Sequence, residues 1–531
     1  MEVILGIDLG TTYSCVKRFN VTTQEVESVI FSNRDSLLRS TVNFDNGQIV
    51  VGGTPSSNCF CDVKRLIGLK MTDTEILPDL QKFSFGVEAK ENNEIVLILQ
   101  KRNDETYKCS PEELTAVVLY KLKMSSLVGL PPTTPVKAVI TVPSQFIEPQ
   151  LLAVEFAAKM AGITVIRLER EPTAAFFAYK QLKYSKEDLS HGTMTVLVFD
   201  FGGGTLDVSI VEMSGARTRV KATCGNNHLG GLDIDEVIKQ HVLDELKVVD
   251  EETYTKLCVT SSAERKRQRM KTLALHCEEA KIKLFSNDVE RCLIEPFEEV
   301  DFQMVLERHQ VEKWCEVVFE ECMVVVRKCL AKARLDKHDI DRVLAIGGSS
   351  KIDKIKEMLY RETSIVVEQD VDPKEVVSIG ACLLAKDILQ QTQDISLPEE
   401  IVCSPLQIGN FNKDKKLSLV TVINENEPMP CKKEISAVTF FDNQTSVKIH
   451  VFQGGREIQF FTVDNIPKYP KGICKFAVTF EITANGFLKV DARLVRPSFK
   501  TAEKSVTVNI QHKNSRQGEI DHFQTLTRKI I

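Results

Sequence analysis

Two short stretches, 193 residues apart, share one design: an apolar strand, an aspartate at its end, then a turn of glycine and threonine. The first is Val3-Ile4-Leu5-Gly6-Ile7-Asp8-Leu9-Gly10-Thr11-Thr12-Tyr13. The second is Val196-Leu197-Val198-Phe199-Asp200-Phe201-Gly202-Gly203-Gly204-Thr205-Leu206-Asp207. Glycine can adopt positive φ and bring backbone N–H groups up to phosphate oxygens, and successive N–H groups form an anion-binding concavity. Threonine hydroxyls add hydrogen bonds. Asp8 and Asp200 would repel the same anions unless a hydrated cation lay between them, and Mg²⁺ suits a site with few carboxylates that keeps its waters. Two such turns face to face imply a duplicated ATP clamp. The competing explanation is two hairpins with tight turns, but the aspartate recurs at the same offset in both.

A third turn, Gly347-Gly348-Ser349-Ser350-Lys351, follows the strand Val343-Leu344-Ala345-Ile346 and opens a helical pattern from Ile352 to Leu359. A helix start favours anions; glycine pairs also serve helix–strand packing. Beside the two clamps, this turn completes a three-loop site.

These loops need a scaffold, and up to about Leu389 strands alternate with amphipathic helices, the mark of an α/β architecture. Strand Ala138-Val139-Ile140-Thr141-Val142 leads through Pro143 to a helix predicted over 149–161. Strand Val165 to Leu168 then runs into Glu171-Pro172-Thr173-Ala174-Ala175, where proline suits the first turn of a helix. Residues 234–285 predict mostly helix. After Leu389 the texture changes. Gln390 to Pro398 is polar and short, as an interdomain linker would be. Short alternating strands follow at Ser446–Val451, Phe476–Ile482, Phe487–Leu494 and Ser505–Ile510, predicting a small antiparallel β-sandwich. The division expected is 1–389 for the ATPase domain, 390–400 for the linker, 401–512 for the sandwich and 513–531 for one short helix or tail.

At 531 residues and 43% hydrophobic, the chain can bury several cores. A net charge of −6 argues against a nucleic-acid surface as its main business. The fifteen cysteines are scattered without zinc-type Cys-x-x-Cys pairs and suit a reducing compartment. Cys315, Cys322 and Cys329 fall seven apart, as on one buried helix face. The first predicted strand begins at Val3, leaving no room for a targeting peptide, and no apolar run is long enough to cross a bilayer. The expected location is the cytosol, with the nucleus as the alternative. Arg265-Lys266-Arg267-Gln268-Arg269 reads as a nuclear signal or as a solvated helix face.

These motifs resemble the 70-kDa heat shock protein family of chaperones. The resemblance includes Gly6 to Cys15, Val63-Lys64-Arg65-Leu66-Ile67-Gly68, Ile140 to Pro143, Glu171 to Ala175 and Phe199 to Asp207. It continues through His228-Leu229-Gly230-Gly231, Gly347 to Ser350 and Phe480 to Gly486, covering almost the whole chain. It implies an actin-like α/β ATPase of two lobes with a duplicated βαβ core, followed by a peptide-binding β-sandwich. By the resemblance, Gly10, Thr11, Thr12 and Tyr13 hold phosphates from one side, with Gly202, Gly203, Gly204 and Thr205 on the other. Lys64 is the lysine needed for hydrolysis. Glu171, Asp200, Thr205 and Asp207 order the metal, its waters and the nucleophile, and Asp8 joins the cation shell with Asp200, mostly through water. Glu278 and Lys281 match the adenosine helix, opposite Gly347, Gly348, Ser349, Ser350 and Lys351. The cofactors implied are ATP or ADP with Mg²⁺, with a monovalent cation allowed. The partners implied are unfolded or nascent polypeptides, a J-domain co-chaperone and a nucleotide exchange factor, with neither nucleic acid nor membrane. Val447 and Ile449 are the candidate peptide contacts, although alternating apolar residues of this kind also build cores.

Some positions depart from the family. Ile282 replaces an arginine that stacks on the base, removing a cation–π contact of about 1 kcal/mol. Arg170 replaces an asparagine before Glu171. Leu151 stands where an arginine commonly receives J-domain partners. The linker Asp394-Ile395-Ser396-Leu397-Pro398-Glu399 is poor in leucine, and its proline removes an N–H that could pair with a sheet edge. The sequence stops after one predicted helix, where the family usually has a long lid, so bound peptide is expected to leave faster. The leading expectation is therefore an ATP-hydrolysing chaperone. The alternatives are a non-cycling adaptor that partners a J-domain protein at the ribosome, and a small-metabolite kinase of the same fold.

Overall fold

The computed structural model describes residues 2–530 apart from 46, 57, 81, 101–105, 185–191, 216, 287–288, 298–299, 391–396, 412–416, 497–504 and 510–516. The strand Val3–Asp8 is buried at every position but its last, as an apolar run covered on both faces requires. It pairs antiparallel with Tyr13–Asn20 and parallel with Val136–Val142. The sheet runs Thr164–Arg170, Val136–Val142, Val3–Asp8, Tyr13–Asn20, Glu25–Ser28, and its sixth strand, Leu37–Arg39, also pairs with Tyr13–Asn20. A parallel neighbour needs a crossover, and helix Glu148–Met160 supplies the one between Val136–Val142 and Thr164–Arg170.

The second lobe repeats this plan. Thr193–Phe201 pairs antiparallel with Leu206–Ser214 and parallel with Arg342–Ile346. Arg217–Asn226 and Val367–Glu368 form the outer strands of that sheet. In both sheets the founding strand heads a three-strand meander on one side and takes parallel partners on the other. The repeated motif is thus the local trace of a duplicated sheet. Helices Glu171–Leu182 and Val376–Gln390 share a core with Ile4 and Val139 of one sheet and Val196, Val198 and Leu344 of the other. Ala174 and Ala175 are fully buried there, so the small residues after Glu171 serve helix packing. Cys322 and Cys329 lie on the buried face of helix Glu316–Ala333, with Cys315 at its start.

Leu406–Phe411, Leu417–Ile423, Ser446–Gln453 and Arg456–Asp464 make one antiparallel sheet; Cys431–Val438, Lys475–Ile482, Leu488–Arg496 and Ser505–Asn509 make the second. Their inner faces form a separate core around Val451, Phe476, Phe480 and Val490. Of the linker segment, 391–396 lies outside the described residues. Glu399 nevertheless pairs with the sheet edge: its N–H donates to Thr218 O and its carbonyl accepts from Val220 N, both at 2.9 Å. Pro398 removes its own N–H, and the pairing is made by the next residue, Glu399.

The sandwich docks on the first lobe. Gln453 Oε1 accepts from Glu148 N at 2.9 Å, Arg456 pairs with Asp73 and Glu75, and Leu152 packs against the sandwich core. The C-terminal helix Gln517–Thr527 also lies on this lobe, with Phe523 and Leu526 buried in its core.

Candidate functional site

The two founding strands end on opposite sides of one cleft of about 240 Å³. Asp8 closes its strand opposite Thr141, and Asp200 lies in register with Asp207 and Ile346. Asp8, Gly10, Thr11, Thr12 and Tyr13 line the first wall, and Asp200, Gly202, Gly203, Gly204 and Thr205 the second. Lys64, Glu171, Glu278, Lys281, Gly347, Gly348, Ser349 and Lys351 also line it. Asp207 and Ser350 stand behind the wall, both fully buried. Asp207 Oδ1 accepts from Ser144 N at 2.8 Å, and Ser350 Oγ donates to Gly347 O at 2.7 Å, holding the third loop in shape.

The clamp glycines are needed for a different reason than expected. Among the described cleft glycines, only Gly347 has positive φ, +81°. At Gly203 the constraint is space: a Cβ there would lie 2.2 Å from Thr12 Oγ1. The two loops touch, and side chains on the second would fill the gap where phosphate oxygens would enter.

Lys64 sits in a short 3-10 turn, Val63–Arg65, and its ammonium donates to Glu171 Oε1 at 2.6 Å with both side chains nearly fully buried. Glu171 opens its helix, where a carboxylate is favoured by the helix dipole. Burial and the charge of Glu171 push Asp8 up to about 7 and Asp207 up to about 7. Asp200 is raised well above the ordinary carboxylate range by burial, then by Glu171, Asp207 and Asp8. One ammonium cannot balance four carboxylates held together at low dielectric. Such a group either keeps protons or gathers a cation. Thr12 Oγ1 and Asp207 Oδ2 are buried without hydrogen-bond partners, so the unsatisfied donor set is all oxygen, which fits Mg²⁺ rather than a soft metal.

On the adenosine side, helix Ala263–Ser286 presents Glu278, Lys281, Ile282 and Phe285 to the cleft, the i, i+3, i+4, i+7 spacing of one helix face. Lys281 Nζ donates to Gly231 O and Asp235 Oδ2, each at 2.8 Å. Glu278 accepts from Tyr13 OH at 3.2 Å and Arg39 Nη2 at 2.8 Å, tying the lobes across the cleft. Arg65 makes a second tie: it donates to Gly204 O at 3.0 Å, Asp233 at 3.1 Å and Asp79 at 3.0 Å. Sequence reasoning missed Arg65, Asp235 and Phe285; Phe285 was detectable from the helix spacing, the other two only from the fold.

Arg170 Nη1 donates to Pro143 O at 3.0 Å, and Leu151 is buried in the first lobe's core. Lys266 and Arg267 are exposed on a helix face. Ile449 is 2% exposed in the sandwich core and Val447 packs against it. Apolar side chains open to solvent on the sandwich include Val438, Phe440, Phe441, Phe460 and Ile473. Among the described residues, no helix is long and apolar enough to cross a membrane.

A family model described as Hsp70 protein matches residues 4–529. The heat shock 70 kDa protein of Neurospora crassa is 31% identical over 525 residues, covering 96% of this chain and 78% of that protein. The heat shock cognate 70 kDa protein 3 of Dictyostelium discoideum is 31% identical over 532 residues, covering 96% and 80%. The chaperone protein dnaK of Trieres chinensis is 34% identical over 534 residues, covering 96% and 81%.

Proposed function

The chain belongs to the Hsp70 family, and from that premise we propose how the residues of its cleft and sandwich divide the work. The protein is an ATP-dependent chaperone that hydrolyses ATP and binds unfolded polypeptides. In this reading, backbone N–H groups of Thr11, Thr12 and Tyr13 hold the phosphates from one side, and those of Gly203, Gly204 and Thr205 from the other. Lys64 leaves Glu171 in part to meet the γ-phosphate, where its charge offsets what develops in the transition state. Glu171 and Asp200, with Asp207 behind them, orient the attacking water, and one carboxylate at the cleft, Glu171 or Asp200, accepts its proton. Asp8 and Asp200 would hold Mg²⁺, mostly through water, and the ion would supply charge neutralisation at the phosphates. Glu278 and Lys281 reach the ribose side, with Ile282 and Phe285 offering the base an apolar face.

The observation that supports this best is the buried Lys64–Glu171 pair, held at 2.6 Å between two facing glycine loops. For the sandwich, the exposed Phe440 and Phe441, whose rings pack edge to face at 5.3 Å, are the peptide contacts. An exchange-factor partner and a cytosolic location are carried over from the family, and so is a J-domain partner, although Leu151 departs from the family at the position that commonly receives it. Single-turnover hydrolysis of ATP tests the site: Lys64→Ala should slow it by about 10²- to 10³-fold. No hydrolysis by the unmodified protein, or an unchanged rate in the variant, would defeat the assignment.

A further inference from the structure

Away from the cleft, three chemically distinct donors converge where the C-terminal helix meets the first lobe. Cys109 ends the strand Thr106–Cys109, Glu113 lies in the first turn of helix Pro111–Ser126, and His522 projects from Gln517–Thr527. One donor atom from each lies within 4.8 Å of the others. Cys109 and Glu113 are buried, and His522 is partly exposed. We propose that these residues bind a single Zn²⁺ ion that clasps the C-terminal helix to the ATPase lobe.

The donors match the metal. Zn²⁺ takes thiolate, imidazole and carboxylate ligands in tetrahedral geometry, and the soft sulfur selects against Mg²⁺ and Ca²⁺. Donors around such an ion sit roughly 3–4 Å apart, so a small side-chain adjustment closes the set. His522 Nδ1 already lies 2.6 Å from Glu113 Oε1. The other carboxylate oxygen accepts from Ser110 N at 2.6 Å, while Ser110 Oγ accepts from Glu113 N at 3.2 Å. This reciprocal cap fixes the carboxylate, the kind of outer support that metal ligands need. Phe523 and Leu526, buried beside His522, fix the helix. Glu519, one turn before His522, lines the same recess and with water is the source of a fourth ligand. A histidine–glutamate ion pair would account for two of these residues. The thiol within reach of both adds the donor that zinc selects.

Co²⁺ and Zn²⁺ titrations of the full chain test the clasp. Co²⁺ should bind with one equivalent showing a thiolate charge-transfer band that Cys109→Ser abolishes and Zn²⁺ displaces. His522→Ala, at a partly exposed position, should fold normally and weaken binding by at least about 100-fold, since losing even a residue that only supports a ligand costs about 10- to 100-fold. Because the chain has fifteen cysteines, the variant comparison is what assigns the band. A missing band, or one unchanged in Cys109→Ser, overturns the site. Zn²⁺ should also slow amide exchange in 517–527 relative to chelator, and binding without that slowing overturns the clasp. ATP hydrolysis enters neither readout, so failure here leaves the cleft assignment standing.

Discussion

Glu148 makes the docking of the sandwich on the first lobe dependent on pH. It is 3% exposed. Its Oε1 has no hydrogen-bond partner, and the backbone of Leu488 from the sandwich reaches its carboxyl. Burial pushes it up to about 8, against the opposing effects of Leu488 and Arg170 and with repulsion from Glu155 adding to the rise. Undocking returns the carboxyl to water and its ordinary 4.5. The docked form therefore holds a proton that the undocked form releases. This contribution is fully present below about 4.5 and is lost as pH rises to about 8. At about 1.4 kcal/mol per pH unit, that span caps the loss at roughly 5 kcal/mol; with relaxation and water entry the working figure is roughly 2 kcal/mol. The docked-to-undocked ratio should then fall by about 30-fold between pH 5 and pH 8. Glu400, raised to about 7 by burial and Glu169, adds in the same direction. Glu148→Gln keeps the shape and cannot ionise, so its docking should vary less with pH and exceed that of the unmodified protein at pH 8. Energy transfer between dyes on the second lobe and the sandwich would read this ratio. Equal pH slopes in both proteins would refute the reasoning.

Ile282→Arg restores a cation over the base and should tighten ADP binding by about 1 kcal/mol, about five-fold, by calorimetry. Gly203→Ala places a methyl 2.2 Å from Thr12 Oγ1; nucleotide affinity should fall at least about ten-fold, while far-ultraviolet dichroism stays unchanged. Arg65→Ala leaves Asp79 and Asp233 without their shared guanidinium and should cost about 3 kcal/mol in denaturant unfolding of the nucleotide-free protein. Arg65→Lys should recover only part, because one ammonium cannot span three acceptors. Replacing Phe440 and Phe441 together by Ser should weaken binding of an unfolded peptide by about 2 kcal/mol in fluorescence anisotropy, with ATP hydrolysis in the absence of peptide unchanged.

What could be read from the sequence was chemistry whose partners lie nearby in the chain. The aspartate and the glycine-threonine turn are consecutive, so each clamp identified itself, and the apolar run before each aspartate identified its strand. The reason for the glycines was misjudged, because their crowding arises between Gly203 and Thr12, residues from different lobes. Long-range partners leave no such local mark. Nothing around Arg65 foretells that Asp79, Gly204 and Asp233 meet at its guanidinium, and nothing around Phe523 foretells its place in a core built from the first 170 residues. The strand Cys431–Val438 went unread because it carries Lys432, Lys433 and Glu434 and is mostly exposed, which hides the alternation that marks a half-buried strand. Phe285 is different. Its spacing from Glu278, Lys281 and Ile282 completes one helix face, so extending the face by one turn would have found it. Local pattern therefore suffices where one element supplies a whole wall of the site. It fails where two elements must meet, and the lobe ties, the docked sandwich and the C-terminal helix are all of that second kind.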